Sequence, residues 1–231
     1  MKVLVIDVGG SHVKMKLSGQ DEVRKFDSGT AMTPQEMIDG VRRCLGDWRY
    51  DAVAIGFPAP VVSGRIVKEP VNLGAGWLSY DLEGALGSPV RIINDAAMQA
   101  LGGYEGGRML FLGLGTGLGT TLIVDDAVIG LELGHLPYRK ERSYEDYVGA
   151  AGMERRGQKK WQESVFDVVA KLKEAFVADY VLLGGGNVKK LAELPPGARR
   201  GDNADAFIGG ERLWLDRPTA AGKPREGSDG R

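Results

Sequence analysis

From its second residue the chain alternates short apolar runs with glycine turns. Residues 2–8 (Lys-Val-Leu-Val-Ile-Asp-Val) read as a buried strand, with 12–18 and 22–26 as antiparallel partners across turns at Gly9-Gly10 and Gly19-Gln20-Asp21. Thr33-Pro34-Gln35-Glu36 has the form of a capping box with proline in the first turn, predicting a helix to about Leu45. Residues 52–57 return as a strand, and a loop-rich stretch centred on Asn72–Trp77 follows. A strand at 90–93 leads into a helix at 96–101, and further strands are expected near 109–114, 118–124 and 127–131.

Ser143-Tyr-Glu-Asp146 resembles a second capping box and predicts a short helix from about Tyr144. Trp161, Val165, Val168, Val169, Leu172 and Phe176 recur at helical spacing, so 158–176 reads as a long amphipathic helix. A strand at 180–183 runs into Gly184-Gly-Gly186, which is expected to turn into a helix near 187–193; a last helix covers 204–213. The chain thus divides into an N-terminal α/β lobe (1–106), a C-terminal α/β lobe (107–200), a C-terminal helix packing back on a lobe (201–214) and a tail (215–231). The tail is rich in Pro, Gly and charge, with almost nothing to bury, and is expected to be disordered.

A faint repeat links the lobes. Laying 5–17 over 111–123 without a gap aligns strand, glycine turn and strand, with Val5 on Phe111 and Leu17 on Ile123. The mismatch of Asp7 against Gly113 means that only the first hairpin carries a carboxylate in its turn.

Bulk properties narrow the field. The 231 residues suffice for a substantial core, and a net charge of −1 provides no overall attraction to nucleic acid or anionic membrane. A single cysteine, Cys44, excludes an internal disulfide. No apolar run is long enough to span a bilayer, and the first strand begins at the N-terminus without a signal-like region, so a cytoplasmic protein is expected.

The candidate chemistry lies in three places. Gly9, Gly10 and Ser11 form one glycine turn, and Gly115, Thr116 and Gly117 another. Such turns aim several backbone N–H groups into one concavity, where phosphate binds. Between them, Asn94-Asp95-Ala96 ends a strand in a carboxylate, Asp95, that could take a proton from an attacking hydroxyl. Asp95 reads equally well as a helix N-cap, and either glycine turn as an ordinary hairpin. Two cradles plus one aspartate match the needs of phosphoryl transfer.

Taken together, these motifs resemble the ROK family of sugar kinases and sugar-responsive regulators, which have the two-lobed, actin-like α/β fold with a cleft between lobes. The resemblance spans about residues 2–214. It implies Asp95 as the catalytic base, with Asn94, Asp95, Glu132, His135 and Glu145 binding a monosaccharide. It places the donor's phosphates on Gly9, Gly10, Ser11, Lys14, Gly115, Thr116 and Gly117, and the nucleotide near Gly184, Gly185 and Gly186. Asp7 would anchor Mg²⁺ through water. Relatives carry a cysteine-rich zinc knuckle after the Glu132-x-x-His135 motif; here Leu136–Tyr144 is short and lacks cysteine, so zinc is not expected and another partner must orient His135.

The missing knuckle is similar to the branch that uses polyphosphate or ATP to phosphorylate glucose. Arg155, Arg156, Lys159 and Lys160 could form a polyphosphate track, or could simply face solvent. The implied activity is transfer of a terminal phosphoryl group from ATP and/or polyphosphate to a hexose, glucose first, with fructose, mannose or an N-acetylhexosamine as alternatives. A non-catalytic sugar sensor and a phosphate hydrolase are the rival readings. No DNA-binding segment precedes the first strand, which disfavours the sensor. Homodimerisation is implied by the resemblance alone.

Overall fold

Two hairpins of the same design organise the molecule. In the first, β1 (Val3–Val8) pairs antiparallel with β2 (His12–Leu17), and β2 with β3 (Val23–Asp27). Helix α1 (Pro34–Leu45) follows, opened by the expected capping box: Thr33 accepts from Glu36 N while the Glu36 carboxylate accepts from Thr33 N. The chain returns as β4 (Ala52–Phe57), parallel to β1, and makes the small hairpin β5 (Val61–Val62) and β6 (Arg65–Ile66) and helix α2 (Leu82–Leu86). Strand β7 (Val90–Asn94), parallel to β4, completes a sheet in the order β3-β2-β1-β4-β7.

After α3 (Asp95–Gly102) the scheme recurs. Strands β8 (Arg108–Leu114), β9 (Leu118–Val124) and β10 (Ala127–Leu131) form the antiparallel part. A hairpin of β11 (Pro137–Arg139) and β12 (Arg142–Ser143) leads into helices α4 (Glu145–Val148), α5 (Ala150–Arg156) and α6 (Gln158–Ala175). Strands β13 (Tyr180–Gly184) and β14 (Ala198–Arg200) then add in parallel, giving the order β10-β9-β8-β13-β14, and α7 (Asp205–Leu215) is the last described element. This computed structural model describes residues 1–202 and 204–215; beyond Leu215 the expected tail lies outside the described residues.

The repeat is present, but not without a gap. The first hairpin closes at Val8–Val13 and the second at Leu114–Leu118, one residue tighter. The counterpart of the Asp7–Lys14 pair is therefore Gly113–Gly119, and Leu17 corresponds to Leu122 rather than Ile123.

Burial follows from the alternation of the strands. Leu4, Ile6, Val13 and Met15 face α1, and Leu110, Leu112 and Leu118 face Trp161, Val165 and Val169 of α6. The opposite faces, including Val3 and Val5 of one sheet and Met109 and Phe111 of the other, meet at a shared core with α3 and α7. Helix α3 thus lies between the two sheets, which fixes where its N-terminus points.

One expected element differs. Instead of a helix over 187–193 there is a single 3₁₀ turn, Val188–Lys190. Ala192 N donates to Gln162 Oε1 of α6 at 3.0 Å, and Pro195-Pro196 follow, so a helix cannot propagate.

Candidate active site

The parallel strands deliver the candidate residues to one edge. Asp7 lies near the C-terminal end of β1, Asn94 ends β7, and Gly184 ends β13. Asn94 is the N-cap of α3: its Oδ1 accepts from Ala97 N at 3.2 Å, and its Nδ2 donates to Ala59 O at 3.3 Å. Both polar groups of Asn94 are thus engaged inside the protein, each with one bonding position left for a ligand.

Asp95 is the first helical residue, not the cap. Its Oδ1 accepts from Ala96 N at 2.8 Å, and among the described residues nothing bonds Oδ2. Its pKa is pushed up to about 7, chiefly by burial and then by the negative charge of Asp7, with Glu132 adding a smaller repulsion. Burial also raises Asp7, partly offset by Lys14, whose Nζ is 3.8 Å from Asp7 Oδ2.

The first loop is pinned from outside the motif. Gly9 N donates to His12 O at 3.0 Å, Ser28 N to Ser11 O at 3.0 Å, and Ser28 Oγ to Gly9 O at 2.6 Å. Asn72, from the loop-rich stretch, sits against Gly10, its Cβ 3.4 Å from where a Cβ on Gly10 would lie. In the second hairpin Gly119 leaves room for α3: a Cβ there would fall 2.8 Å from that of Ala96. The glycines that replace the Asp7–Lys14 pair thus let the head of α3 come close to the second loop.

That loop is tied down on two sides. Ala150 N, at the start of α5, donates to both Gly115 O and Thr116 O at 3.1 Å, and Asn187 Nδ2 donates to Gly115 O at 2.9 Å. Gly115 faces open space. Gly117 does not, since a Cβ there would lie 2.5 Å from Glu145 Oε2.

The three glycines after β13 differ in role. A Cβ on Gly184 would strike the Phe111 ring and Gln99 at 2.6 Å, so this glycine serves packing. Gly185 has φ +83° and presses on Leu114 O. Of the three, Gly186 alone leaves open space where a Cβ would lie.

Glu132, His135 and Glu145 come together. His135 Nε2 is 3.4 Å from Glu132 Oε2 and its Nδ1 is 3.5 Å from Glu145 Oε1, so two carboxylates flank the ring. Buried Thr120 sets this segment, its hydroxyl donating to Leu131 O at 2.8 Å and accepting from Leu133 N at 3.1 Å. Glu145 enters α4 behind a reciprocal pair: Asp146 Oδ2 accepts from Ser143 N at 2.9 Å and Ser143 Oγ from Asp146 N at 3.3 Å.

The basic stretch is divided. Arg155 donates to Asp146 O, and Arg156 bonds Ser164 Oγ while lying over the Tyr147 ring, so neither guanidinium is idle. Lys159 and Lys160 are exposed, as are Lys189 and Lys190, and Gln158 Nε2 donates to Lys190 O at 2.6 Å, linking the start of α6 to the 188–190 turn. Ser28, Asn72, Thr120 and Asn187 carry no motif signal; only their place in the fold gives them a role.

Among known proteins, the sequence profile of the ROK family matches residues 3–150. No curated protein sequence matches significantly. Solved structures do. An inorganic polyphosphate/ATP-glucomannokinase from Arthrobacter sp. strain KM is 22% identical, with a TM-score of 0.77 over 90% of this chain and 96% of that one. A ROK family glucokinase from Streptomyces griseus, in complex with glucose and AMPPNP, is 16% identical, with a TM-score of 0.71 over 92% and 99%. A ROK family transcriptional regulator, a homolog of the E. coli MLC protein, gives 0.73 at 14% identity, over 92% of this chain and 77% of that one. The fold is that of the two-lobed ROK sugar kinases.

Proposed function

The chain belongs to the ROK family, and on that premise we propose that it is a sugar kinase, moving a terminal phosphoryl group to a hexose hydroxyl, with glucose the leading candidate. The observation that carries this reading is Asp95: a buried carboxylate at the head of α3 that does not cap the helix, lies near Asp7 and Glu132, and has its pKa pushed up to about 7. A buried aspartate with a raised pKa suits a general base, which favours the kinase over the sensor. The Streptomyces protein holds glucose and a nucleotide on the same fold, which favours the same pair of substrates here.

In this mechanism the sugar is held by Glu132, His135 and Glu145, with the remaining positions of Asn94 adding a contact. The backbone N–H groups around Gly9–Ser11 and Gly115–Gly117 hold the donor phosphates. The sugar oxygen forms a bond to the terminal phosphorus as the bond from that phosphorus to the donor's bridging oxygen breaks. Asp95 receives the hydroxyl proton, so the attacking oxygen does not develop a costly positive charge. Water must be kept out during this step, or it would compete as acceptor.

A divalent cation fits the site. Asp7 and Asp95 repel each other, and one lysine at 3.8 Å only partly offsets the charge. Asp7 would hold Mg²⁺ through water, and the ion would neutralise charge on the donor phosphates.

Two donors suit the site. Gly186 opens to space that a base or ribose could fill, while the exposed Lys159, Lys160, Lys189 and Lys190 supply positive charge that polyphosphate could use. A coupled assay with glucose, mannose, fructose and N-acetylhexosamines, each with Mg-ATP and with polyphosphate, tests the proposal. Glucose 6-phosphate formation is expected. Donor hydrolysis without sugar phosphorylation would favour the hydrolase, and tight sugar binding with no turnover the sensor.

A further inference from the structure

The hairpin between His135 and Glu145 is poorly made by its own sequence. Its turn residues, Lys140 and Glu141, have φ of +49° and +58°, the left-handed region where Asn and Gly are favoured and other side chains are strained. The two strands are three and two residues long, with an irregular register between Pro137 and Arg139. Such a ribbon does not hold itself together in water. Yet its two ends carry residues of the candidate sugar site, His135 at the entry and Glu145 at the exit.

Much of what holds it converges on Tyr138 and Asp167. Tyr138 donates its hydroxyl to Asp167 Oδ2, midway along α6. Arg139 at 3.0 Å and Lys171 at 2.7 Å converge on the same oxygen. The Tyr138 ring is stacked on Tyr144 with centroids 4.8 Å apart, and meets Tyr147 edge-on at 4.9 Å. Tyr144 immediately precedes Glu145, so the stack joins α6 to the backbone that aims the carboxylate, and Tyr144 N closes the ribbon on Leu136 O at 3.1 Å.

We propose that Tyr138 and Asp167 are positioning residues, a clamp that fastens the 136–144 ribbon to α6 and thereby holds His135 and Glu145 in register for the sugar. Neither residue touches substrate in this arrangement, and the idea rests on the sugar-kinase reading only for its kinetic readout.

The test pairs structure with kinetics in the full chain. Tyr138→Phe keeps the ring and removes the hydroxyl; Asp167→Ala removes the acceptor, and Asp167→Asn retains one. Hydrogen exchange of peptides spanning 132–148 is expected to quicken in the Phe and Ala variants while peptides of β8 and β9 keep their protection. The KM for sugar should rise about tenfold in both, with the donor KM within twofold, and the double variant should be no worse than either single one. Asp167→Asn should recover most of the sugar KM. Unchanged exchange in 132–148, or sugar and donor KM rising together, would overturn the clamp. If the unaltered protein phosphorylates no sugar, the function proposed above fails, and the exchange data alone decide whether the clamp exists.

Discussion

Asn94 caps the helix that Asp95 begins. The sequence suggests Asp95 as the cap, with the helix starting at 96, although both residue types cap well. The pairing of Asn94 with Phe57 at the end of β7 decides it, because the strand runs through Asn94 and the helix can start only after it. Asp95 is thereby not the cap, although its Oδ1 still accepts from Ala96 N at 2.8 Å.

The two neighbours should therefore separate on mutation. Asp95→Ala is expected to lower kcat by two to four orders of magnitude, the usual scale for loss of a general base, with sugar affinity changed only a few-fold. Asn94→Ala should instead cost about 1 kcal/mol of stability from the lost cap, read from denaturant midpoints. Equal kcat losses from both changes would mean that Asp95 acts through the fold.

A base with its pKa near 7 sets the pH profile. In kcat/KM for the free enzyme, activity should fall about tenfold per pH unit below about pH 7 and level off above it. A profile flat from pH 5 to 8 would remove Asp95 from the proton transfer.

The same group leaves a mark on stability. Because the folded pKa lies above the ordinary 3.8, the folded state holds the proton more tightly than the unfolded chain. Stability is thus lost as pH rises from about 4 to 7, by an amount of order a few kcal/mol. Asp95→Asn carries no such penalty, so it should be more stable than the parent at pH 8 and lose that advantage near pH 3.5. Parallel urea titrations at the two pH values measure this; an advantage independent of pH would point to packing instead.

Gly117 tests whether Glu145 belongs to the site. Ala at this position places a methyl 2.5 Å from Glu145 Oε2 and must push the carboxylate aside. The expected result is a sugar KM raised at least several-fold, with the protein still folded by circular dichroism. An unaltered sugar KM would take Glu145 out of sugar recognition.

Much of this arrangement is visible in the chain itself. The alternation in 3–8 and the glycines after it demand a hairpin, and Thr33–Glu36 marks a helix start that the structure reproduces to the residue. Less visible are features fixed by distant partners. Whether 187–193 coils depends on Gln162, some thirty residues away, taking the Ala192 N–H. Gly184 looks like its neighbour Gly186, but the Phe111 ring beneath it sets its purpose. A one-residue difference in turn length is equally hidden, since identity between the hairpins is too low to place a gap.

Helices α3 and α7 touch backbone to backbone. A Cβ on Gly102 would clash with Asp205 O, one on Gly209 with Met98 O, and one on Gly210 with the Val5 side chain. Beside these close approaches Met98 and Leu101 of α3 pack with Phe207 and Leu213 of α7, and Arg212 Nη1 donates to Leu101 O at 2.6 Å, so the crossing is both tight and fastened. A single methyl added at Gly102 or Gly209 would meet the opposite backbone and drive apart the two helices that both sheets share.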